Sequence, residues 1–330
     1  MGTSLNKRDC SLDAIRIFAC VLIVLMHSPL PSSDAGDGLL LCGLSYVTAP
    51  GIGLFFMVSG ALLLKPKESL DTFAFLKNRI VKVAVPLVFW SIVGIGLDMC
   101  GMNNAELGVL WFLYCIMGLY LLTPILVRWL EKASVREVEF YLLVWFVSLC
   151  VPIVKLVYPV SLNTESWLFY FQGYVGYYVL GSYMAKYYKS GKSWIRNHWL
   201  LSAVIGCMFV LGVPLAALWL SNEVDFYSLF WYLSATVAMQ SLFLWIAIGT
   251  VSMLWFRQPS EKLTAISNLC FGVYLIHILV MRNMLWKLHW MSLMPTAVQT
   301  VVCAGMTFAV SLLISWCLSK VKYLNRVIGC

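Results

Sequence analysis

The chain has 330 residues, of which 61% are hydrophobic and only 12% are charged. Its mean hydropathy of +0.85 lies far outside the range of a soluble domain. The composition therefore excludes a soluble enzyme and predicts an integral membrane protein. The formal net charge of +8 is explained by basic loops on one side of a membrane, so it gives no reason to expect a nucleic acid partner.

Apolar segments long enough to cross about 30 Å of hydrocarbon recur along the whole chain, separated by short polar segments. We predict an all-α, polytopic bundle of about ten transmembrane helices, which together form one membrane domain over residues 1–330. The predicted spans are approximately 12–30, 47–64, 80–98, 108–128, 138–158, 169–187, 199–220, 229–255, 265–285 and 297–318.

The distribution of Lys and Arg predicts the orientation of the bundle, because short basic loops stay in the cytosol. With the N-terminus inside, only Lys155, Arg282 and Lys287 fall on the outer side. An even number of spans then returns the C-terminus to the cytosol. We therefore expect a multi-pass protein with both termini cytosolic and with its surface in contact with membrane lipids.

The first span, LDAIRIFACVLIVLMHSPL, carries ionisable residues where they are costly to hold in lipid. Arg16 and His27 are eleven residues apart, so both lie on one helix face, roughly 16 Å apart along the axis. Asp13 shares this face and can pair with Arg16. A neutral imidazole at the depth of His27 can act as a general base towards a hydroxyl. A hydrogen bond between helices explains the same histidine equally well.

The second span, VTAPGIGLFFMVSGALLLK, contains small residues that include Ser59 and Gly60, and these by themselves indicate close helix packing. The third span begins with LKNRIVKVAVPL, which places Lys77, Arg79 and Lys82 at the inner membrane surface. Residues 79 and 82 share a face and could hold several phosphate oxygens. Anchoring to lipid headgroups explains the same cluster and is the simpler interpretation of these residues alone.

The ninth span contains FGVYLIHILV, in which Tyr274 and His277 are three residues apart. A helix that starts near residue 265 puts His277 roughly 18 Å along its axis, close to the depth of His27. Two buried histidines at one level predict a shared polar cavity. They would also suit a proton-coupled transporter or flippase, which is the main alternative function. The eleven cysteines include no CxxC pair and no metal-ligand spacing, so we expect no metal site.

Together these segments resemble the membrane-bound acyltransferase family 3. The likeness runs through LDAIRIFACVLIVLMH, FFMVSGALLL, FLKNRIVKVAVPL, LWFLYCIMGLYLLTPIL and FGVYLIHILV. Arg16 and His27 match the family's arginine, ten residues, histidine motif. Arg79 matches the first arginine of an RxxR element associated with CoA, and Lys82 stands in place of the second. Lysine keeps the positive charge but lacks the planar guanidinium that can donate two hydrogen bonds to one phosphate. Ser59 and Gly60 match the start of an SGF element, with Ala61 where an aromatic residue is usual.

This resemblance implies a bacterial inner-membrane O-acyltransferase that takes an acetyl group from cytosolic acetyl-CoA and transfers it to a hydroxyl. The implied acceptor is a surface glycan or a lipid-linked sugar. His27 is then the general base, or the carrier of a covalent acyl group, and Arg16 lines the donor path. Arg79 and Lys82 hold the CoA phosphates, and Ser59 and Gly60 belong to the donor site. We add Lys77 to the phosphate site as a hypothesis of our own.

Two features of this expected site remain open in the sequence. His277 and Tyr274 are candidate hydrogen-bond donors to a developing oxyanion, or else a buried contact between helices. Several carboxylates could orient His27, although a solvated role is more usual for them. These candidates are Asp98, Glu106, Glu165, Glu223 and Asp225. The acceptor, the acyl chain length and the oligomeric state are likewise open.

Overall fold

The computed structural model describes residues 10–30, 38–65, 71–101, 106–155, 158, 165–221, 229–255 and 260–329. In these ranges every regular element is a helix and there is no strand, which confirms the predicted all-α bundle. Nine helices of the described part are long and apolar enough to cross a membrane. The chain is therefore a multi-pass membrane protein.

The principal helices are α1 Cys10–His27, α2 Gly38–Thr48, α3 Pro50–Leu63, α4 Thr72–Met99, α5 Trp111–Lys132, α6 Val135–Val154, α7 Val175–Tyr183, α8 Trp199–Cys207, α9 Val213–Ser221, α10 Ala235–Trp255, α11 Glu261–Asn283 and α12 Thr296–Lys320. The π-helical turns Met184–Tyr188 and Met208–Gly212 extend α7 and join α8 to α9. Side-chain caps mark three of the helix starts. Asp71 caps α4, Ser134 and Glu137 form a capping box on α6, and Ser260 caps α11.

The predicted span at 169–187 differs most from the observed structure. Its helix begins only at Val175, ends with the π-helical turn at Tyr188, and is too short to meet the length expected of a span. Phe169–Phe171 instead forms a separate 3-10 turn before it. Every residue from Gly176 to Tyr183 is buried, so this helix is surrounded by protein. Its length therefore need not match the thickness of the lipid hydrocarbon.

The direction of α11 indicates that Val175–Tyr188 still crosses the membrane. The residues of α1 and α11 that touch rise together along the two helices, from Asp13 with Thr264 to His27 with His277, so the helices are parallel. Parallel helices require an odd number of crossings between them, whereas six of the nine candidate spans lie between α1 and α11. A crossing by Val175–Tyr188 restores the odd number and agrees with the ten spans predicted.

The chain forms two compact units, each assembled from separate stretches. The first unit takes the described parts of Met1–Leu41, Asp71–Tyr120 and Ala247–Cys330. Its centre is α1 packed on α11 and α12, and Gly272 allows α11 to approach the side chain of Ser315 on α12. A 3-10 turn at Leu324–Ile328 returns to this centre, where the indole of Trp90 donates to the carbonyl of Val327 at 2.9 Å.

The second unit takes the described parts of Cys42–Leu70 and Leu121–Ile246, and its centre is the pair α3 and α7. The contacts of Phe56 with Tyr174 and of Leu64 with Ser182 rise together along the chain, so these two helices are parallel. Glycines make this contact unusually close. A Cβ atom on Gly60 would lie 1.8 Å from the carbonyl oxygen of Tyr178, and one on Gly181 would lie 1.9 Å from that of Met57. The hydroxyl of Tyr178 is bonded to Thr123 at 2.8 Å. The prediction of one domain over residues 1–330 stays a prediction.

We predict that Gly60→Ala destabilises the protein by at least about 1–3 kcal/mol, because the added methyl group meets backbone that cannot rotate away. The measurement is thermal unfolding of the detergent-purified protein. Gly118→Ala in α5 is the matched control, since a Cβ there has no neighbour within 4 Å. Equal stability of the two variants would contradict the close contact between α3 and α7.

Candidate active site

A line of polar contacts joins α1 to α11 inside the first unit. The carboxylate of Asp13 accepts a hydrogen bond from the hydroxyl of Thr264 at 2.9 Å. One turn further, the guanidinium of Arg16 donates to the hydroxyl of Ser267 at 3.3 Å. Buried polar side chains in a membrane helix are costly unless another polar group satisfies them. The polar face of α1 is therefore matched by hydroxyl groups on α11.

His27 and His277 meet at the far end of this contact. Their ring centroids are 5.5 Å apart and the ring planes are inclined by 41°. His277 is completely buried, whereas His27 retains some exposed surface. The expectation that both imidazoles lie at one depth is confirmed.

The hydrogen bonds of His277 define which of its nitrogens carries a proton. Nδ1 lies 2.5 Å from the carbonyl oxygen of Tyr274 in the preceding turn. Because a carbonyl only accepts, Nδ1 is the donor, and in a neutral ring Nε2 then presents a lone pair. Nε2 is buried and has no hydrogen-bond partner in the described part of the chain. His277 thus offers an acceptor close to His27, which does not fit the predicted role of oxyanion donor.

Tyr274 is held in a similar way. Its hydroxyl donates to the backbone carbonyl of Val109, and its ring packs against Phe112 and His277 with centroid distances of 5.4 and 5.8 Å. The proton that the sequence assigns to an oxyanion is therefore engaged with backbone. The arrangement favours the alternative role, a buried contact that positions His277.

Gln299 on α12 holds the chain that follows His27. Its amide Nε2 donates to the carbonyl of Ser28 at 3.1 Å, and its Oε1 accepts from the backbone amide of Leu30 at 3.4 Å. Ser28 and Gln299 are both buried, so the Ser28 carbonyl depends on the Gln299 amide for a hydrogen bond. Gln299 thereby fixes the C-terminal end of α1, and with it the position of His27, the last residue of that helix.

Arg282 is a cation at the end of α11 to which the sequence interpretation gave no role. It lies in the last turn of α11, and its guanidinium carbon is 5.1 Å from the centre of the Trp286 ring. The distribution of charge contained a signal for it. Arg282 is one of the few cations on the side predicted to be outer, where the positive-inside rule gives no reason for a cation.

The basic residues near the start of α4 separate into two kinds. Arg79 is half-buried, and its guanidinium carbon is 6.0 Å from the centre of the Phe75 ring one turn earlier on α4. Lys77 and Lys82 are exposed on the same helix. The role of these three cations in holding phosphates stays a prediction.

The remaining predicted residues are described by their own surroundings. Ser59 is half-buried and Gly60 is buried against α7, so packing within the second unit accounts for Gly60. Asp98 and Glu165 are exposed. Glu223, Asp225 and the side chain of Glu106 lie outside the described residues.

Comparison with known families identifies the class of protein. The family model described as an acyltransferase domain, acyltransferase family 3, matches residues 10–316. The chain belongs to this family and is a membrane acyltransferase. No curated protein and no solved structure gives a significant match.

We predict that Gln299→Met lowers the rate of acyl transfer by about 10²-fold, because a small displacement of a reacting group has an effect of that size. Methionine keeps the length of the side chain but leaves Ser28 and Leu30 without the amide. The rate is measured on membranes that contain equal amounts of protein. Ser311→Ala on the same helix is the control, since the Ser311 hydroxyl is buried without a partner in the described residues. A wild-type rate in Gln299→Met would contradict the positioning role.

Proposed function

We propose that the protein is an acyl-CoA-dependent O-acyltransferase that moves an acetyl group from cytosolic acetyl-CoA to a hydroxyl of a surface glycan or glycolipid precursor. Membership of the family supports the reaction class. The observation that carries the assignment of His27 as base is its pairing with His277, at the end of α1 opposite to Arg16.

The donor site is formed by cations at the beginning of α4 and α1. Arg79 and Lys82, with Lys77 beside them, bind the phosphates of CoA, and Arg16 lines the donor path. Arg16 lies roughly 16 Å from His27 along α1, so the phosphates and the reacting thioester are well separated. The pantetheine arm of CoA spans this separation and carries the thioester into the protein. The assignment of Ser59 and Gly60 to the donor site rests on the family resemblance alone.

Acyl transfer at the His27 end of α1 needs a neutral imidazole as base. It also needs a hydrogen-bond acceptor for the N–H on the other nitrogen of that ring. His27 takes the proton of the substrate hydroxyl as the oxygen attacks the thioester carbonyl. The resulting imidazolium is oriented by Nε2 of His277, which accepts a hydrogen bond from the second ring nitrogen after a small rotation or through one water. His277 therefore takes the orienting role that carboxylates hold in other sites. No metal is required for these steps.

The orientation follows from the same cations. We propose that both termini face the cytosol of a bacterial cell and that the protein lies in the inner membrane, because CoA is cytosolic and α4 begins with basic residues. The ends of α1 and α11 that carry the histidines then lie towards the outer side, where glycan precursors are found.

Proton-coupled transport is the second candidate, and the buried imidazole pair is the observation that favours it. The dependence on acetyl-CoA distinguishes the two functions. A transporter moves solute or protons across the membrane of proteoliposomes without acetyl-CoA, whereas the enzyme consumes acetyl-CoA.

A covalent acyl-histidine would appear as radiolabel bound to the protein after brief reaction with labelled acetyl-CoA.

We predict that His27→Ala lowers acetyl transfer by about 10²- to 10⁴-fold without loss of folded protein, because the base is removed. The measurement is incorporation of radiolabelled acetyl groups from acetyl-CoA into the glycan and lipid fraction of membranes. His289→Ala is the matched control, since this histidine is exposed in the 3-10 turn His289–Leu293. Retained transfer in His27→Ala would rule out the assignment of the base.

We further predict that Arg79→Gln weakens binding of acetyl-CoA by about 10-fold or more, because a hydrogen bond to a charged group contributes about 1.5–3 kcal/mol. Binding is measured by titration of the detergent-purified protein with acetyl-CoA. Lys262→Gln, which removes an exposed cation from the first turn of α11, should leave binding unchanged. If Arg79→Gln and Lys262→Gln bind acetyl-CoA equally well, the assignment of the phosphate site to Arg79 is wrong.

A further inference from the structure

We propose that the C-terminal turn, residues 321–329, is part of the donor site, and that its residues Arg326 and Lys322 bind phosphate groups of acetyl-CoA. This inference rests on the proposed acyl transfer and adds binding residues to it. The family model ends at residue 316, so the turn lies outside the matched part of the chain.

The C-terminal turn lies at the end of the first unit that carries Arg16, opposite to the histidines. Near the start of α12, Gln299 donates to the carbonyl of Ser28 at the far end of α1. Further along α12, Ser315 faces Gly272, which precedes the histidine of α11 by five residues. The helix α12 therefore runs antiparallel to α1, and the turn that follows it is on the side predicted to be cytosolic.

Buried contacts hold the C-terminal turn between α4 and α11. The indole of Trp90 on α4 donates to the carbonyl of Val327 at 2.9 Å. Ile328 is completely buried against α11, where a Cβ atom on Gly272 would lie 3.2 Å from the Cβ of Ile328. Because Gly272 precedes His277 by five residues, Ile328 lies roughly 7.5 Å below His277, measured along α11. The distance that remains to the histidines is one that the pantetheine arm of CoA spans.

The C-terminal turn also meets the basic start of α4. The amide of Gly329 donates to the carbonyl of Arg326 at 3.2 Å, and a Cβ atom on Gly329 would lie 3.7 Å from the carbonyl oxygen of Lys82. Gly329 thus connects the backbone of Arg326 to that of Lys82. Both side chains are exposed, so their positive charges add on one surface of the first unit. Residues 320–326 contain two further cations, Lys320 and Lys322, and no Asp or Glu.

Tyr323 restrains two of these cations. The Nζ atom of Lys322 is 5.2 Å from the centre of the Tyr323 ring, and the guanidinium carbon of Arg326 is 5.8 Å from it. Both distances are within the range of a cation–π interaction. Arg326 is exposed, so the N–H donors at the edge of its guanidinium are open to a ligand in the cytosol.

The chemistry of this surface suits a phosphate group. Lys82 supplies a compact positive charge, whereas the planar guanidinium of Arg326 can donate two parallel hydrogen bonds to one phosphate. Lys322 adds a second ammonium group on the other side of Arg326 in the chain. A nucleotide phosphate is therefore met by both kinds of cation, one from α4 and two from the C-terminal turn.

The backbone of Tyr323 favours a bound ligand over contact with lipid headgroups alone. Its φ of 75° makes it the one non-glycine residue with positive φ in the described ranges. Such a conformation persists only where the surroundings fix it, and it is frequent at binding sites. The buried Val327 and Ile328 fix the turn here. Mobile lysines are sufficient for headgroups, whereas a single bound ligand gains affinity from cations that are positioned before it arrives.

The first experiment measures binding of acetyl-CoA to wild type and to Arg326→Gln in nanodiscs of phosphatidylcholine, which has no net charge. We expect Arg326→Gln to raise Kd about 10-fold, because a hydrogen bond between charged groups is lost. Arg136→Gln is the matched control, since Arg136 is an exposed arginine in the first turn of α6, and it keeps the wild-type Kd.

The second experiment measures acetyl transfer in membranes with two radiolabelled donors, acetyl-CoA and S-acetylpantetheine, which carries the thioester without a phosphate group. With acetyl-CoA, Arg326→Gln should raise KM and leave kcat unchanged. With S-acetylpantetheine, Arg326→Gln and wild type should have equal kcat/KM.

Variants of Tyr323 test how the cations are positioned. Tyr323→Leu removes the aromatic ring and should raise Kd for acetyl-CoA about 2- to 5-fold, the size of an exposed cation–π interaction. Tyr323→Phe keeps the ring and should keep the wild-type Kd.

The inference is overturned if Arg326→Gln binds acetyl-CoA as wild type does in phosphatidylcholine nanodiscs. A loss of transfer that appears only in membranes with anionic lipid then assigns Arg326 to lipid headgroups. An equal loss with S-acetylpantetheine also overturns it, because that donor has no phosphate to bind. If Arg326→Gln does not fold, wild-type Kd in both Arg326→Lys and Tyr323→Leu has the same meaning. The proposed function fails separately, when wild type binds no acetyl-CoA or transfers no acetyl group.

Discussion

The parallel contact between α1 and α11 is the constraint on which the candidate site depends. Asp13 with Thr264 and Arg16 with Ser267 are both 251 residues apart, and Cys20 contacts the backbone of Cys270 at a separation of 250. The nearly constant separation means that the two helices keep one register over this length. A slip of one residue would turn each side chain by about 100° around the axis. The polar pairs near the start of α1 therefore also hold the histidines at its end.

The sequence was informative wherever function follows from the periodicity of one helix. Arg16 and His27 could be placed on one face because their spacing is nearly three turns, and His277 could be placed at the same depth because helix rise is constant. The family likeness rests on the same local motifs. These predictions needed no knowledge of how the helices pack, which explains why the structure agrees with them.

The missing parts of the site depend on contacts between distant segments. Gln299 lies 271 residues from Ser28, and a lone glutamine in an apolar segment gives no sign of which backbone it will meet. The engagement of Tyr274 with Val109 was hidden for the same reason. Gly60 has a packing reason against Tyr178 that its sequence motif could not show, and its expected place at the donor site stays a prediction. The length of α7 was misjudged because an apolar sequence does not distinguish lipid contact from burial in protein.

The use of imidazole as the partner of His27 follows from the cost of charge in a membrane. A carboxylate orients a histidine strongly in water-filled sites, but an uncompensated carboxylate at this depth carries a large desolvation penalty. The Nε2 lone pair of His277 provides an acceptor without that permanent charge, and the bond from Nδ1 to Tyr274 keeps the lone pair in place. A neutral acceptor leaves the resting site free of a second ionised base, and it interacts most strongly with an imidazolium that forms only during proton transfer.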